Sequence, residues 1–165
     1  MKAVYSGTFD PITNGHIDII KRASDIFDEV VVLIMRNPNK QCLFQEEERK
    51  KLIEESLNSL HIYNASVVIG TGLTVDMTKK LNANVIIRGI RAVSDYEYEL
   101  KQATANMMLD STIETMLMIA RPEYSFLSSS VVKEIALNHG NIRKMVPETI
   151  VDEVENRMNV YAKNL

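Results

Sequence analysis

Short runs of apolar, β-branched residues recur along the chain, with room for a helix between each pair. They are Ala3-Val4-Tyr5, Val30 to Met35, Val67-Val68-Ile69, Val85-Ile86-Ile87 and Thr115 to Ala120. Each is bounded by polar residues, Gly or Pro. Each reads as a continuous run more than as an alternation, the pattern of strands buried on both faces of a parallel sheet. Helical patterns lie between them. Ile17, Ile20, Ala23 and Phe27 share one face, and Leu52, Ile53, Ser56, Leu57 and Leu60 share another. The second of these helices carries Glu46 with Lys50 and Glu47 with Lys51, two favourable i,i+4 pairs on a solvated face. Residues 74–82 and 95–109 also read as helical, Ser128 opens a further helix that Gly140 ends, and Pro147 suits the first turn of a last helix. The order β-α-β-α-β-α-β-α-β-α-α predicts an α/β fold. It is a single doubly wound, Rossmann-like domain with a five-stranded parallel sheet and helices on both faces. Such sheets bind ligands at the carboxyl ends of their strands, where the strand order reverses.

Composition narrows the function classes. The 165 residues carry 19 Lys+Arg against 22 Asp+Glu, a net charge of −3 that argues against a non-specific nucleic-acid binder. One cysteine cannot form an internal disulfide, and no Cys/His cluster has zinc spacing. The N-terminal residues lack the apolar stretch of a signal peptide, and no run approaches the ~20 apolar residues of a membrane span. A cytoplasmic protein is the expectation. The nine methionines are expected to fill the core and a subunit interface. His61 and His139 are expected at the surface, and Cys42 in a loop with no chemical role.

Four segments at strand ends or helix starts are candidates for chemistry. The first is the strand end Tyr5-Ser6-Gly7-Thr8-Phe9-Asp10-Pro11 with Thr13-Asn14-Gly15-His16. Gly7 permits a tight turn, Thr8 offers a hydroxyl and an N–H, and His16 opens a helix whose N-terminus favours anions. Neither a Walker A loop nor a dinucleotide Gly-x-Gly-x-x-Gly is present, since Gly70-Thr71-Gly72 is followed by Val75 where a third Gly is needed. The second is the loop from Arg36 to Lys40, whose Lys40 can reach a phosphate as a point charge. The third is Arg88-Gly89-Ile90-Arg91, two arginines at a strand end suited to bidentate phosphate binding, with a surface ion pair as the bland alternative. Glu99 and Asn106 follow, two turns apart on one helix face. The fourth runs from Tyr124 through Ser125, Phe126, Leu127 and Ser128-Ser129-Ser130 to Val131-Val132-Lys133. Its three serines gather hydroxyls and N–H groups where a plain cap would need one.

Together these segments resemble a known family. The first looks like the (T/H)xGH signature of the nucleotidylyltransferase superfamily. Arg88 to Arg91, Leu127 to Ser130 and Lys40 narrow the resemblance to the bacterial phosphopantetheine adenylyltransferases. It runs from Ala3 to at least Pro147 and implies one nucleotidylyltransferase domain over 1–165, ending in a helix at about 147–163. Ser6, Tyr124 and Leu127 stand where the family often has Pro, Trp and Ile.

The resemblance implies transfer of the adenylyl group of ATP to 4′-phosphopantetheine, giving dephospho-coenzyme A and pyrophosphate. By motif, Thr8 and His16 sit at the α-phosphate, with His16 stabilising the transition state alongside Thr8 and Lys40. ATP is met by Thr8, Phe9, His16, Gly89, Ile90, Arg91, Glu99, and Tyr124 to Ser130. Phosphopantetheine is met by Thr8, Lys40, Thr74, Arg88 and Asn106. The family also implies Mg²⁺, a homohexamer and coenzyme A as a feedback inhibitor. No acidic pair marks a metal cage, so Mg²⁺ is expected to ride on the ATP phosphates. The attacking group is already a phosphate anion and the leaving group is pyrophosphate, so the task is alignment and charge neutralisation. Alternatives are a nicotinate-mononucleotide adenylyltransferase, another superfamily nucleotidylyltransferase such as a glycerol-phosphate cytidylyltransferase, or a non-catalytic coenzyme A or nucleotide sensor. Thr13, where the other enzymes usually carry His, Lys40 and the triple serine count against the rival enzymes.

Overall fold

The computed structural model describes residues 1–36 and 41–163. Five parallel strands, β1 (Lys2–Gly7), β2 (Glu29–Met35), β3 (Ala65–Gly70), β4 (Val85–Ile90) and β5 (Glu114–Ile119), form a sheet in the order β3-β2-β1-β4-β5. Four α-helices fill the connections, α1 (Asn14–Ile26), α2 (Glu46–Ser59), α3 (Thr74–Lys80) and α4 (Val93–Leu109), and two follow β5, α5 (Ser129–Leu137) and α6 (Val151–Lys163). The expected α/β fold and strand set are therefore present. The last helix opens as a 3-10 turn at Glu148–Ile150 before α6, so Pro147 precedes that turn instead of lying in the first α-helical turn.

Strand order reverses at β1. Its register runs Lys2 opposite Glu29 to Gly7 opposite Ile34 on one side, and Ala3 opposite Val85 to Tyr5 opposite Ile87 on the other. The chain leaves β1 and β4 toward opposite neighbours, which opens a crevice beyond their carboxyl ends.

The two faces of the sheet are covered unequally. Because successive side chains alternate, Ala3, Tyr5, Val30, Val32, Ile34, Val85 and Ile87 point to one face. There they meet Ile20 and Ala23 of α1, Leu52 and Ile53 of α2, Val132 of α5, and Val154 and Met158 of α6. The other face packs Val4, Val31 and Leu33 against Met77 and Leu81, with a smaller group of Val75, Ile86 and Ile113. Over β4 and β5 its cover is α4, whose 17 residues bury only Glu99. Helices do lie on both faces, but Met107, Met108, Leu109, Met116 and Ile119 are exposed beside this edge. Of the methionines, Met118 and Met158 are buried, so the expectation that methionines fill the core holds only in part.

Local chemistry sets the helix ends. Thr13 caps α1 and Ser128 caps α5, each accepting a backbone N–H on its hydroxyl. Glu46, Glu47 and Glu48 fill the first turn of α2, where negative charge suits the helix dipole. The ion pairs of α2 differ from those expected. Lys50 meets Glu54 and Lys51 meets Glu55, while Glu46 turns to Arg36 at 3.1 Å and Arg49 at 3.7 Å. Glu46 is drawn inward because Arg49 is buried. Among the described residues no helix is long and apolar enough to cross a membrane.

Ile87 is fully buried between β1 and β5. Ile87→Ala should lower unfolding stability by about 2–5 kcal/mol, read from the urea midpoint at unchanged slope.

Candidate active site

The crevice is built from the turn after β1. At Gly7 an added Cβ would lie 2.9 Å from the Phe9 ring, so the ring can fold back against the strand only over glycine. Phe9 itself takes a left-handed backbone, φ 51°, and is buried. Its ring meets Tyr5 edge-on at 5.3 Å and His16 edge-on at 5.1 Å. Burial pushes the Tyr5 phenol well above its usual pKa, so it stays a neutral hydroxyl.

His16 belongs to the helix start as well as to the cavity. The Thr13 backbone N–H donates to His16 Nδ1 at 3.0 Å, while the His16 N–H donates to Thr13 Oγ1 at 3.3 Å. This is a capping box with histidine in the place of the usual Glu or Gln. Because Nδ1 accepts, the neutral ring carries its proton on Nε2. Burial, then the charges of Arg91 and Arg88, push the His16 pKa down to about 4. At neutral pH the side chain is an uncharged donor.

Arg88 and Arg91 extend the wall from β4. Arg88 makes a two-pronged pair with Glu99, 2.7 Å on each prong, and donates Nη1 to the Ser6 carbonyl at 2.6 Å. Burial alone would lower its pKa; the hydrogen bond and charge of Glu99 outweigh that and raise it. Arg91 donates to the Leu127 carbonyl at 2.8 Å and pairs with Asp95. It thus ties the end of β4 to the segment before α5. Ser128 Oγ is committed to the Val131 N–H, and Ser129 Oγ donates to the Pro11 carbonyl at 2.7 Å. The serine cluster therefore offers mainly the Ser130 hydroxyl and the N–H groups that start α5, in place of three open hydroxyls.

Two cavities meet here. The first, about 470 Å³, is lined by Thr8, Phe9, His16, Gly89, Arg91, Glu99, Tyr124, Leu127 and Ser128 to Ser130. The second, about 550 Å³, is lined by Met35, Arg36, Thr74, Tyr98, Gln102 and Asn106. Ser6, Gly7, Thr8 and Arg88 line both. Glu99 and Asn106, on one helix, thus face different cavities. Ile90, Ser125 and Phe126, expected at the nucleotide, do not line the first cavity, and Phe126 is exposed. Ile90 ends β4, where it lies opposite Ile119 of β5. Lys40 lies outside the described residues. His61 and His139 are exposed, as expected.

Several lining residues gave no signal in the sequence. Gln41 and Asp95 border the first cavity, and Met35, Tyr98 and Gln102 the second. Lys133, the last residue of the fourth candidate segment, also borders the first. Cys42, expected to be incidental, is half-buried there. Lys133 pairs at 3.1 Å with buried Asp10, whose carboxylate also accepts the Leu43 and Phe44 N–H groups.

The depressed His16 pKa has a defined sign. Between the usual value of 6.5 and about 4 the unfolded chain binds the proton and the folded chain does not. His16 should titrate near pH 4 in NMR spectra. Its contribution to stability should be complete above pH 6.5 and lost as pH falls through about 4. A His16 titration near 6.5 would contradict this geometry.

Comparison with known proteins places the chain in a family. The cytidylyltransferase-like family model matches residues 4–135. The phosphopantetheine adenylyltransferase of Bdellovibrio bacteriovorus is 49% identical over 94% of this chain and 96% of its own, and that of Thermotoga neapolitana 51% over 88% and 89%. The solved structure of Plasmodium falciparum nicotinic acid mononucleotide adenylyltransferase complexed with NaAD superposes with a TM-score of 0.69 over 97% of this chain and 95% of that one. At 16% identity it shares the fold. The chain belongs to the cytidylyltransferase-like family of nucleotidyltransferases and, within it, to the phosphopantetheine adenylyltransferases.

Proposed function

We propose that the protein transfers the adenylyl group of ATP to the phosphate of 4′-phosphopantetheine, giving dephospho-coenzyme A and pyrophosphate in coenzyme A synthesis. The observation that carries this reading is the junction of two cavities at Ser6, Gly7, Thr8 and Arg88. Direct transfer needs two anionic ligands side by side, with the reacting atoms at the wall they share.

In this reading ATP occupies the first cavity, against Phe9, Gly89, Arg91, Glu99, Tyr124 and the start of α5, with Ser125, Phe126 and Ile90 as lesser contacts. Phosphopantetheine occupies the second, its phosphate drawn to Arg88 and its arm along Thr74 and Asn106. A phosphate oxygen of the acceptor attacks the α-phosphorus, the bond to the β-phosphate oxygen breaks, and pyrophosphate leaves with the electron pair. No proton need move. Thr8 and the Nε2–H of His16 stabilise charge growing on the α-phosphate, a role that suits a neutral donor already held by Thr13. Lys40 is assigned to the same charge by motif.

The family's Mg²⁺ enters this reading with the nucleotide. Among the described residues no group of three His, Cys, Asp or Glu side chains could hold a metal ion. The carboxylates of the first cavity are bonded to Lys133, Arg88 and Arg91. These residues fit an ion carried on the phosphates better than one caged by the protein. Coenzyme A, which shares parts with both ligands, is proposed as a feedback inhibitor of the same crevice. We also assign the protein to the cytoplasm. The bare edge of α4 and β5, with Met108 at 84% exposure, is proposed as an interface of a homohexamer.

Pyrophosphate release from ATP should require phosphopantetheine and should not occur with nicotinate mononucleotide. Tight coenzyme A binding without pyrophosphate release would favour a sensor instead. His16→Ala should lower turnover about 10²–10³-fold while ATP binding, titrated in parallel, changes little. Sedimentation velocity should find a six-chain particle in the native protein and smaller species in Met108→Asp.

A further inference from the structure

We propose that Arg49 is a positioning residue for the transfer step, acting through the Thr8 carbonyl; this rests on the reading that the reaction runs at Thr8. Arg49 lies in α2 on the solvated-looking run of charges, yet it is 2% exposed. It lines neither of the two meeting cavities. Its Nη1 donates to the Thr8 carbonyl at 2.7 Å and its Nε to the Phe44 carbonyl at 3.0 Å, with Glu46 at 3.7 Å from Nη2. Burying a guanidinium is costly, and apolar packing does not require one here.

The Thr8 carbonyl is the handle of the site. In a planar trans peptide the C=O and the following N–H point in opposite directions. Holding the Thr8 oxygen toward Arg49 therefore turns the Phe9 N–H away from α2. It also fixes the backbone that carries the Thr8 hydroxyl at the junction of the cavities. Phe9 pays for this geometry with a left-handed backbone, which persists only where the surroundings over-determine it. Arg49 supplies that constraint from outside the cavity. The same guanidinium binds Phe44, whose N–H is held by Asp10 of the same turn. Two buried, oppositely charged side chains thus stitch the β1–α1 turn to the start of α2.

A planar fork can hold two carbonyls at fixed angles, and an ammonium cannot. Arg49→Met should therefore lower kcat for pyrophosphate release about 10²-fold through misplacement alone, with KM for ATP and phosphopantetheine unchanged. Arg49→Lys should recover part of that loss. Leu57→Ala, a buried apolar residue two turns further along the same helix that lines neither cavity, serves as the destabilised control: it should melt lower and keep its kcat when folded. Native kcat in Arg49→Met overturns the proposal, as does an equal kcat loss in Leu57→Ala. If Arg49→Met does not fold, an unchanged kcat in Arg49→Lys overturns it and a reduced kcat at unchanged KM supports it. A native enzyme that releases no pyrophosphate from ATP and phosphopantetheine overturns the reading of the reaction and this proposal together. An active native enzyme with an unimpaired variant overturns the role of Arg49 alone.

Discussion

Pairing β1 with β2 on one side and β4 on the other leaves a gap beyond the ends of β1 and β4 that no crossover helix can cover. Every polar group of the site hangs on that gap. The turn after β1 presents Thr8 and Phe9, the end of β4 presents Arg88 and Arg91, and the start of α5 closes the far wall through Ser128 to Ser130. The β1–β4 pairing is thus both a packing contact, with Tyr5 beside Ile87, and the line on which the two cavities are set side by side.

Charge is handled locally. The protein carries a net −3, yet its crevice gathers Arg88, Arg91, His16 and Lys133. Each arginine and the lysine is met by a carboxylate: Glu99, Asp95 and Asp10 in turn. The pairs hold the cations in place without the self-repulsion that a bare positive cluster would suffer. Burial, with the charges of Arg91 and Arg88 added to it, keeps His16 neutral by disfavouring its proton.

Much of this was readable from the amino-acid order. Continuous β-branched runs such as Val30 to Met35 marked the strands, and Gly7, Thr8, His16, Arg88 and the triple serine sit at strand ends or helix starts where chemistry collects. What escaped detection depends on contacts distant in sequence. Arg49 stands in sequence among Glu46, Glu47, Lys50 and Lys51, and its burial and its bond to Thr8, 41 positions away, show that it faces inward. Asp10 sits inside the recognised motif, but its partners Leu43, Phe44 and Lys133 lie 33 to 123 positions on. Ile90, Ser125 and Phe126 belong to the recognised motifs but do not line the first cavity. A motif names consecutive residues, whereas a strand or a turn presents only some of them to a cavity.

Arg88 stands at the boundary of both cavities and is held by Glu99 on one side and Ser6 on the other. In the proposed reading, an anion that draws its guanidinium from either chamber would change the potential in the other. Thermodynamic linkage would make that effect mutual: whatever one ligand added to or took from its neighbour's affinity, the neighbour would return in equal measure. A side chain at a shared wall would then couple the two compartments with no change of fold.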